Sequence, residues 1–238
     1  MIGKGKSISH GVAALEYDLA KEINGQAVAT EIARHELYGC TGAEMVQEMK
    51  PYHIDFPNVK NNCLRFEVSP SIEESATFTD ADWAELGNDF MQRMGLANHQ
   101  YIIIRHSGTE SKKEQAHLHI LANRVSLSGE LYRDNWIGKK ATEAANAIAK
   151  ERNFVQSQDI GKVNKAEIKE AMDGVLKKMQ GFDFTKFKEE LGKRGFKVRE
   201  ARASTGKLNG YYVTARSGTE YKASEIGKGY TLAHIERT

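Results

Sequence analysis

The chain is poor in cysteine and has no long apolar run, and each absence removes a class of protein. Cys40 and Cys63 are the only cysteines among 238 residues. Two thiols 23 positions apart, with no second pair, build neither a disulfide framework nor a zinc knuckle. Both are expected to be reduced structural residues. No apolar stretch approaches the ~20 residues needed to cross a bilayer. The basic start, Met1-Ile2-Gly3-Lys4-Gly5-Lys6, lacks the apolar segment of a signal peptide. The expectation is a cytoplasmic protein without membrane insertion. Internal repeats and low-complexity tracts are also missing.

What is present suffices for a packed core: 40% of residues are hydrophobic, spread along the whole length. Net charge is only +2, but it is unevenly distributed. Residues 1–125 carry 12 Lys+Arg against 17 Asp+Glu, whereas residues 126–238 carry 22 against 15. Seven of the eight histidines (His10, His35, His53, His99, His106, His117 and His119) lie in the first half. A histidine-rich, mildly acidic half followed by a basic one suits a metal-bearing catalytic domain beside a region that grips a polyanion.

Periodicity divides the chain into helices and strands. Val12, Leu15, Leu19 and Ile23 recur at helical spacing, which predicts a helix from Ser9 to Ile23, capped by Ser9 and ended by Asn24-Gly25. Residues 27–38 are ambiguous. Thr41 with Glu44 starts a second helix that stops before Pro51. Leu64, Phe66 and Val68 alternate with charged residues, the period of a half-buried strand closed by Pro70. Thr79 caps a helix with the stripe Trp83, Leu86, Phe90 and Met94, ended by Gly95. Strands follow at 101–106 and 117–125. Helices are expected near 137–152, 165–179 and 183–194, then short strands at 196–202, 211–216 and 220–222. A boundary near residue 158 separates a catalytic domain (1–158) from a basic helix-plus-strand subdomain (159–238).

In a strand, residues two apart share a face. His117, His119 and Asn123 therefore face one way, and Leu118, Ile120 and Ala122 the other. If the two strands pair as a hairpin, His106 comes close to His117, and three imidazoles converge. Neutral imidazole is the commonest metal donor, and three protein ligands leave positions open for substrate. The alternative is a set of polar residues merely tolerated on a strand. On the first helix, Tyr17 lies about 150° from the apolar stripe, with Lys21 one turn on. A nearby cation favours a phenolate, whose ordinary pKa is near 10. Otherwise Tyr17 is a surface tyrosine.

His106 followed by His117-Leu118-His119-Ile120-Leu121-Ala122-Asn123-Arg124-Val125 resembles the third motif of the relaxase/mobilisation nuclease family. The segment Gly11-Val12-Ala13-Ala14-Leu15-Glu16-Tyr17-Asp18-Leu19-Ala20-Lys21 is similar to its first motif, Leu64–Pro70 with the Trp83 helix to its middle segment, and Gly206–Ser224 to its tail. The resemblance implies an α+β fold with a central antiparallel sheet flanked by helices, and a small C-terminal helical and β-hairpin subdomain. It implies Tyr17 as nucleophile and His106, His117 and His119 as ligands of a divalent metal, Mg²⁺ or Mn²⁺ with Zn²⁺ as a further possibility. Asn123, Lys21 and Glu67 would support them. Where relatives often carry an acidic residue two positions after the first histidine, this chain has Gly108. The orienting carboxylate then comes from Glu110, Glu114 or Glu67, or is missing.

The activity so implied is nicking of one DNA strand at an origin of transfer to start conjugative mobilisation, through a 5′-phosphotyrosyl intermediate. The partners would be single-stranded DNA, accessory mobilisation proteins and a coupling protein. Typical relatives continue beyond such a domain, so this chain is expected to be the relaxase portion. Arg124, Lys193, Arg194, Lys197, Arg199, Arg202, Lys207 and Arg216, with Tyr211 and Tyr212, would hold DNA by phosphate neutralisation and base stacking. Rival readings are a rolling-circle replication initiator with the same chemistry, a three-histidine zinc hydrolase indifferent to Tyr17, and a non-catalytic DNA-binding module.

Overall fold

The computed structural model describes residues 1–108 and 115–237. The chain divides into two compact units, Met1–Ser157 and Gln158–Thr238. In the first unit the elements run β1 (Ile2–Ile8), α1 (Gly11–Leu19), β2 (Glu22–Ile23), β3 (Gln26–Ala27), β4 (Ala29–His35), α2 (Gly42–Met49), β5 (Cys63–Ser69), α3 (Ile72–Ser75), α4 (Asp80–Arg93), β6 (His99–His106), β7 (His117–Ser126) and α5 (Ile137–Glu151). A short 3₁₀ turn, Lys50–His53, follows α2.

Five strands form one sheet in the order β1-β5-β7-β6-β4, with every neighbouring pair antiparallel. Alternation of side chains gives it two distinct faces. Leu64, Phe66, Val68, Tyr101, Ile103, Leu118, Ile120 and Ala122 point to the back. There they pack with Trp83, Leu86 and Phe90 of α4 and Ala141, Ala145 and Ile148 of α5. Glycine lets α5 come this close: a Cβ on Gly3 would stand 2.4 Å from the Ala141 carbonyl oxygen.

Among the described residues, helices cover the front face at one end. Ile8, Cys63, Ile102, Ile104 and Leu121 are buried there under Leu15 of α1 and Met45 and Met49 of α2. Beyond them the same face turns polar, through Arg65, Glu67, His106, His117 and His119, and this polar end holds the candidate site.

Local sequence explains most boundaries. Thr41 with Glu44, and Thr79 with Asp82, form reciprocal capping boxes at the starts of α2 and α4. The first helix differs from its expectation at both ends. Its N-cap is His10, without a side-chain cap bond, rather than Ser9. Glu22–Ile23 leaves the helix and pairs with Gln26–Ala27, because Asn24 (φ 53°) and Gly25 (φ 75°) adopt the left-handed conformations of a tight hairpin turn. Its buried face is also rotated: Gly11, Ala14, Leu15 and Asp18 are buried, whereas Val12 is exposed.

The second unit contains α6 (Ser157–Leu176), α7 (Phe184–Lys193), β8 (Lys197–Arg202), β9 (Leu208–Thr214), β10 (Glu220–Lys222), α8 (Ala223–Ile226) and α9 (Leu232–Ile235). Its three strands form an antiparallel sheet, β10-β9-β8. The core of this unit includes Ile168, Met172, Phe187, Leu191, Phe196, Tyr211 and Val213. Among the described residues, no helix is long and apolar enough to cross a membrane.

Candidate metal centre and nucleophile

Strand pairing assembles the histidines. His106 of β6 and His117 of β7 are direct cross-strand partners, and His119 lies two residues along β7 on the same face. One ring nitrogen from each of the three comes within 4.8 Å of those of the other two. Ring centroids are separated by 4.4 Å (His106–His119), 4.9 Å (His117–His119) and 5.3 Å (His106–His117).

The hydrogen bonds determine which nitrogens have free lone pairs. His106 Nε2 donates to the main-chain oxygen of Asp18 at 2.7 Å, leaving Nδ1 unprotonated. His117 Nδ1 donates to the Gln115 carbonyl at 3.1 Å. Arg65 Nη2 donates to His119 Nδ1 at 3.1 Å, and His119 Nε2 donates to His117 Nε2 at 3.0 Å. Burial, reinforced by the neighbouring imidazoles and by Arg65, pushes His119 down to about 2. Burial also holds His106 below its ordinary value. Imidazoles crowded at this distance have the donor chemistry of a cation site.

Asp18 is the residue that sequence reasoning missed. It is 1% exposed, and its carboxylate accepts from Arg65 Nε at 3.0 Å and from Arg65 Nη2 at 2.5 Å. Asp18 Oδ1 stands 3.6 Å from His119 Nδ1. A cation on His119 Nε2 requires the ring proton on Nδ1, and Asp18 is the carboxylate within reach to receive it. Asp18 thus meets His106 through its backbone and His119 through its side chain. The available signal was its spacing: Gly11, Ala14, Leu15 and Asp18 fall at i, i+3, i+4 and i+7.

Tyr17, one residue earlier on α1, is 56% exposed. Lys21 Nζ donates to its hydroxyl at 2.7 Å and lies 4.9 Å from the ring centroid. Glu67 faces His119 across the strands, yet its carboxylate accepts from Lys4 Nζ at 2.9 Å rather than from an imidazole. Glu110 and Glu114 lie outside the described residues. Beside His119, a cleft of about 220 Å³ is lined by Lys4, Gly5, Lys6, Arg65 and Glu67.

The expected supporting residue Asn123 and several expected DNA contacts are engaged within the protein. Asn123 is fully buried and braces the 3₁₀ turn, accepting from His53 Nε2 at 2.7 Å and donating to Gln100 Oε1 at 3.0 Å. Arg124 is clamped by Asp134 at 2.6 Å and by the Asn61 carbonyl at 2.9 Å. In the second unit Tyr211 is a core residue, 1% exposed, with its hydroxyl bonded to the Tyr230 carbonyl, so it offers no face to a base. Arg194 caps α6 through the Ala171 and Gly174 carbonyls, and Arg216 donates to the Arg194 carbonyl. Arg199 forms a two-point pair with Glu220, Arg202 pairs with Glu200, and Lys193 pairs with Glu190. Lys197 and Lys207 are exposed, and Tyr212 is half-buried with the Arg199 guanidinium 4.1 Å from its ring.

The family model described as relaxase, MobA/VirD2-like, nuclease domain matches residues 17–154. Among solved structures, the chain is similar to the metal-free conjugative relaxase TrwC in complex with oriT DNA, at 10% identity and a TM-score of 0.39, covering 87% of this chain and 74% of that one. It is also similar to the metal-bound form of the same complex, at 11% identity and a TM-score of 0.36 with equal coverage. No curated protein matches the chain.

Proposed function

This chain belongs to the MobA/VirD2-like relaxase nuclease family, and we propose that it nicks one strand at an origin of transfer by tyrosine transesterification. The observation that carries the chemistry is the position of Asp18. It touches two imidazoles of the cluster, and it immediately follows the tyrosine on α1.

Tyr17 is the nucleophile. Its oxygen attacks the scissile phosphorus, forming the phosphotyrosyl bond as the bond to the upstream 3′ oxygen breaks. The phenol loses one proton and the departing oxygen gains one, so the products are a free 3′-hydroxyl and a 5′-phosphotyrosyl protein. Lys21 holds the phenol oxygen in place. His106, His117 and His119 would hold a divalent cation, which supplies charge neutralisation at the non-bridging phosphate oxygens. Arg65 links Asp18 to His119 Nδ1, and with a cation on His119 Nε2 the Asp18 carboxylate would receive the Nδ1 proton. An all-nitrogen donor set favours Mn²⁺ or Zn²⁺ over Mg²⁺, which prefers oxygen ligands.

Single-stranded DNA is the substrate in this reading, with accessory mobilisation proteins and a coupling protein as partners in the cytoplasm. Lys197, Lys207 and Tyr212 supply the accessible DNA contacts of the second unit. The test is incubation of labelled oligonucleotides from the protein's own element with Mn²⁺, followed by denaturing electrophoresis. A labelled band at protein mass is expected, lost in Tyr17→Phe while strand binding persists. An adduct that survives Tyr17→Phe, or cleavage with no adduct, overturns the assignment.

A further inference from the structure

One exposed aromatic residue has no role in the chemistry above. Trp136 is 80% exposed, the most exposed of the large hydrophobic side chains among the described residues. Its backbone is left-handed, with φ 58° and ψ 28°, a region that bulky residues occupy at a cost. Surrounding contacts fix it there. Asp134 is tied to Arg124 at 2.6 Å, and the Asp134 carbonyl accepts from Ile137 N at 3.1 Å. Lys140 N donates to the Trp136 carbonyl at 3.0 Å, and Lys140 Nζ donates to the Arg133 carbonyl at 2.6 Å. The scaffold therefore holds a large apolar ring in water and strains the chain to do so.

The surroundings indicate what covers it. Arg133 and Lys139 are exposed on either side. The first turn of α5 lies against β1 at Gly5, since a Cβ on Gly138 would be 3.5 Å from the Gly5 carbonyl oxygen. Gly5 sits between Lys4 and Lys6, whose side chains project from the sheet's front face into the cleft beside His119. In register, His119, Glu67 and Lys4 form one row across β7, β5 and β1, so Lys4 lies two strand spacings, roughly 10 Å, from the metal centre. The row runs to the edge of the sheet, where β1 is the terminal strand among the described residues.

From this arrangement, and resting on the nuclease reading, we propose that the DNA strand leaves the metal centre across β5 and β1, with Lys4 and Lys6 contacting its phosphates and Trp136 stacking on an unpaired base beyond the β1 edge. The occupant is a single strand rather than a protein: one aromatic ring lies with Lys6, Arg133, Lys4 (paired with Glu67) and Lys139 (paired with Glu143), a ring-and-cation pairing that suits a stacked base and its flanking phosphates. Bases held in a duplex have no free face to present.

The chain has two tryptophans, and the other, Trp83, is buried at 2% exposure, so fluorescence changes on strand binding report Trp136. The experiment titrates a fluorescein-labelled single strand of mixed sequence into the full chain, reading label anisotropy and, with an unlabelled copy, tryptophan emission. Quenching that tracks the anisotropy is expected. Trp136→Ala should weaken binding by about tenfold, and Trp136→Phe should restore part of the loss. Lys6→Ala should reduce the slope of log affinity against log salt by about 0.7. Binding without quenching, with Trp136→Ala at wild-type affinity, overturns this inference and leaves the nuclease reading intact. Failure of the wild-type chain to bind any single strand overturns both.

Discussion

Asp18 Oδ1 lies 3.6 Å from the Nδ1 of His119, while the Asp18 main-chain oxygen accepts from His106 Nε2 at 2.7 Å. One helical residue thereby holds His106 directly and reaches His119 through Arg65, which donates to both the Asp18 carboxylate and His119 Nδ1. Asp18→Asn keeps the size and removes the charge. It should weaken Mn²⁺ binding between tenfold and a hundredfold, measured by calorimetry on protein whose circular dichroism is unchanged. Wild-type affinity in that variant would mean that the carboxylate serves only to pair with Arg65.

Lys21 donates to the Tyr17 hydroxyl at 2.7 Å from one helical turn away. Lys21→Met retains the aliphatic stem without the donor. Adduct formation should slow at least tenfold in single-turnover assays while strand affinity changes little. If the loss instead appears wholly in affinity, Lys21 is a phosphate contact and not a positioning residue.

His99, His106 and His119 are all held below the ordinary histidine value of 6.5, in each case chiefly by burial. Below that pH the unfolded chain takes up protons that the folded chain refuses, so stability falls as acid is added. Above it all three are neutral in both states and add no slope. His119 alone accounts for about 2 kcal/mol between neutrality and pH ~5. Urea midpoints of the metal-free protein should therefore drop across this range, and a flat or rising profile would show that the rings are accessible to protons.

Gly3 admits α5 against the edge of the sheet, and a methyl group there would meet the Ala141 carbonyl at 2.4 Å and the Ala145 side chain at 2.6 Å. Both neighbours are short and cannot turn aside. Gly3→Ala should cost about 1–3 kcal/mol by overpacking, visible as a lower thermal midpoint. An unchanged midpoint would mean that α5 slides along β1 at little cost.

Much of the site could be read before any coordinates, because it depends on local periodicity. His117 and His119 share a face by strand alternation, and their partner His106 follows from antiparallel pairing. The capping box at Thr41 and the cap at Thr79 likewise announced α2 and α4. The features missed depend on tertiary contact. Ile23 fits a helical stripe as well as it fits the hairpin, and only the Asn24-Gly25 turn separates the two. Gly11 and Ala14 form a close-packing helical face that apolar size does not reveal, so the pattern did not single out Asp18 beside them. Arg124, Arg194 and Tyr211 carry the side chains of a nucleic-acid surface, but Asp134, two α6 carbonyls and the Tyr230 carbonyl engage them internally.

Alternation along β7 makes the site sensitive to segment length more than to composition. Inserting one residue between His117 and Asn123 would turn the following half of the strand over, exposing leucine and isoleucine to water and sending an imidazole into the aliphatic layer. No exchange of neighbouring side chains repairs such a frameshift in space. Divergence in this lineage should therefore accumulate as substitutions within the strand and as insertions outside it.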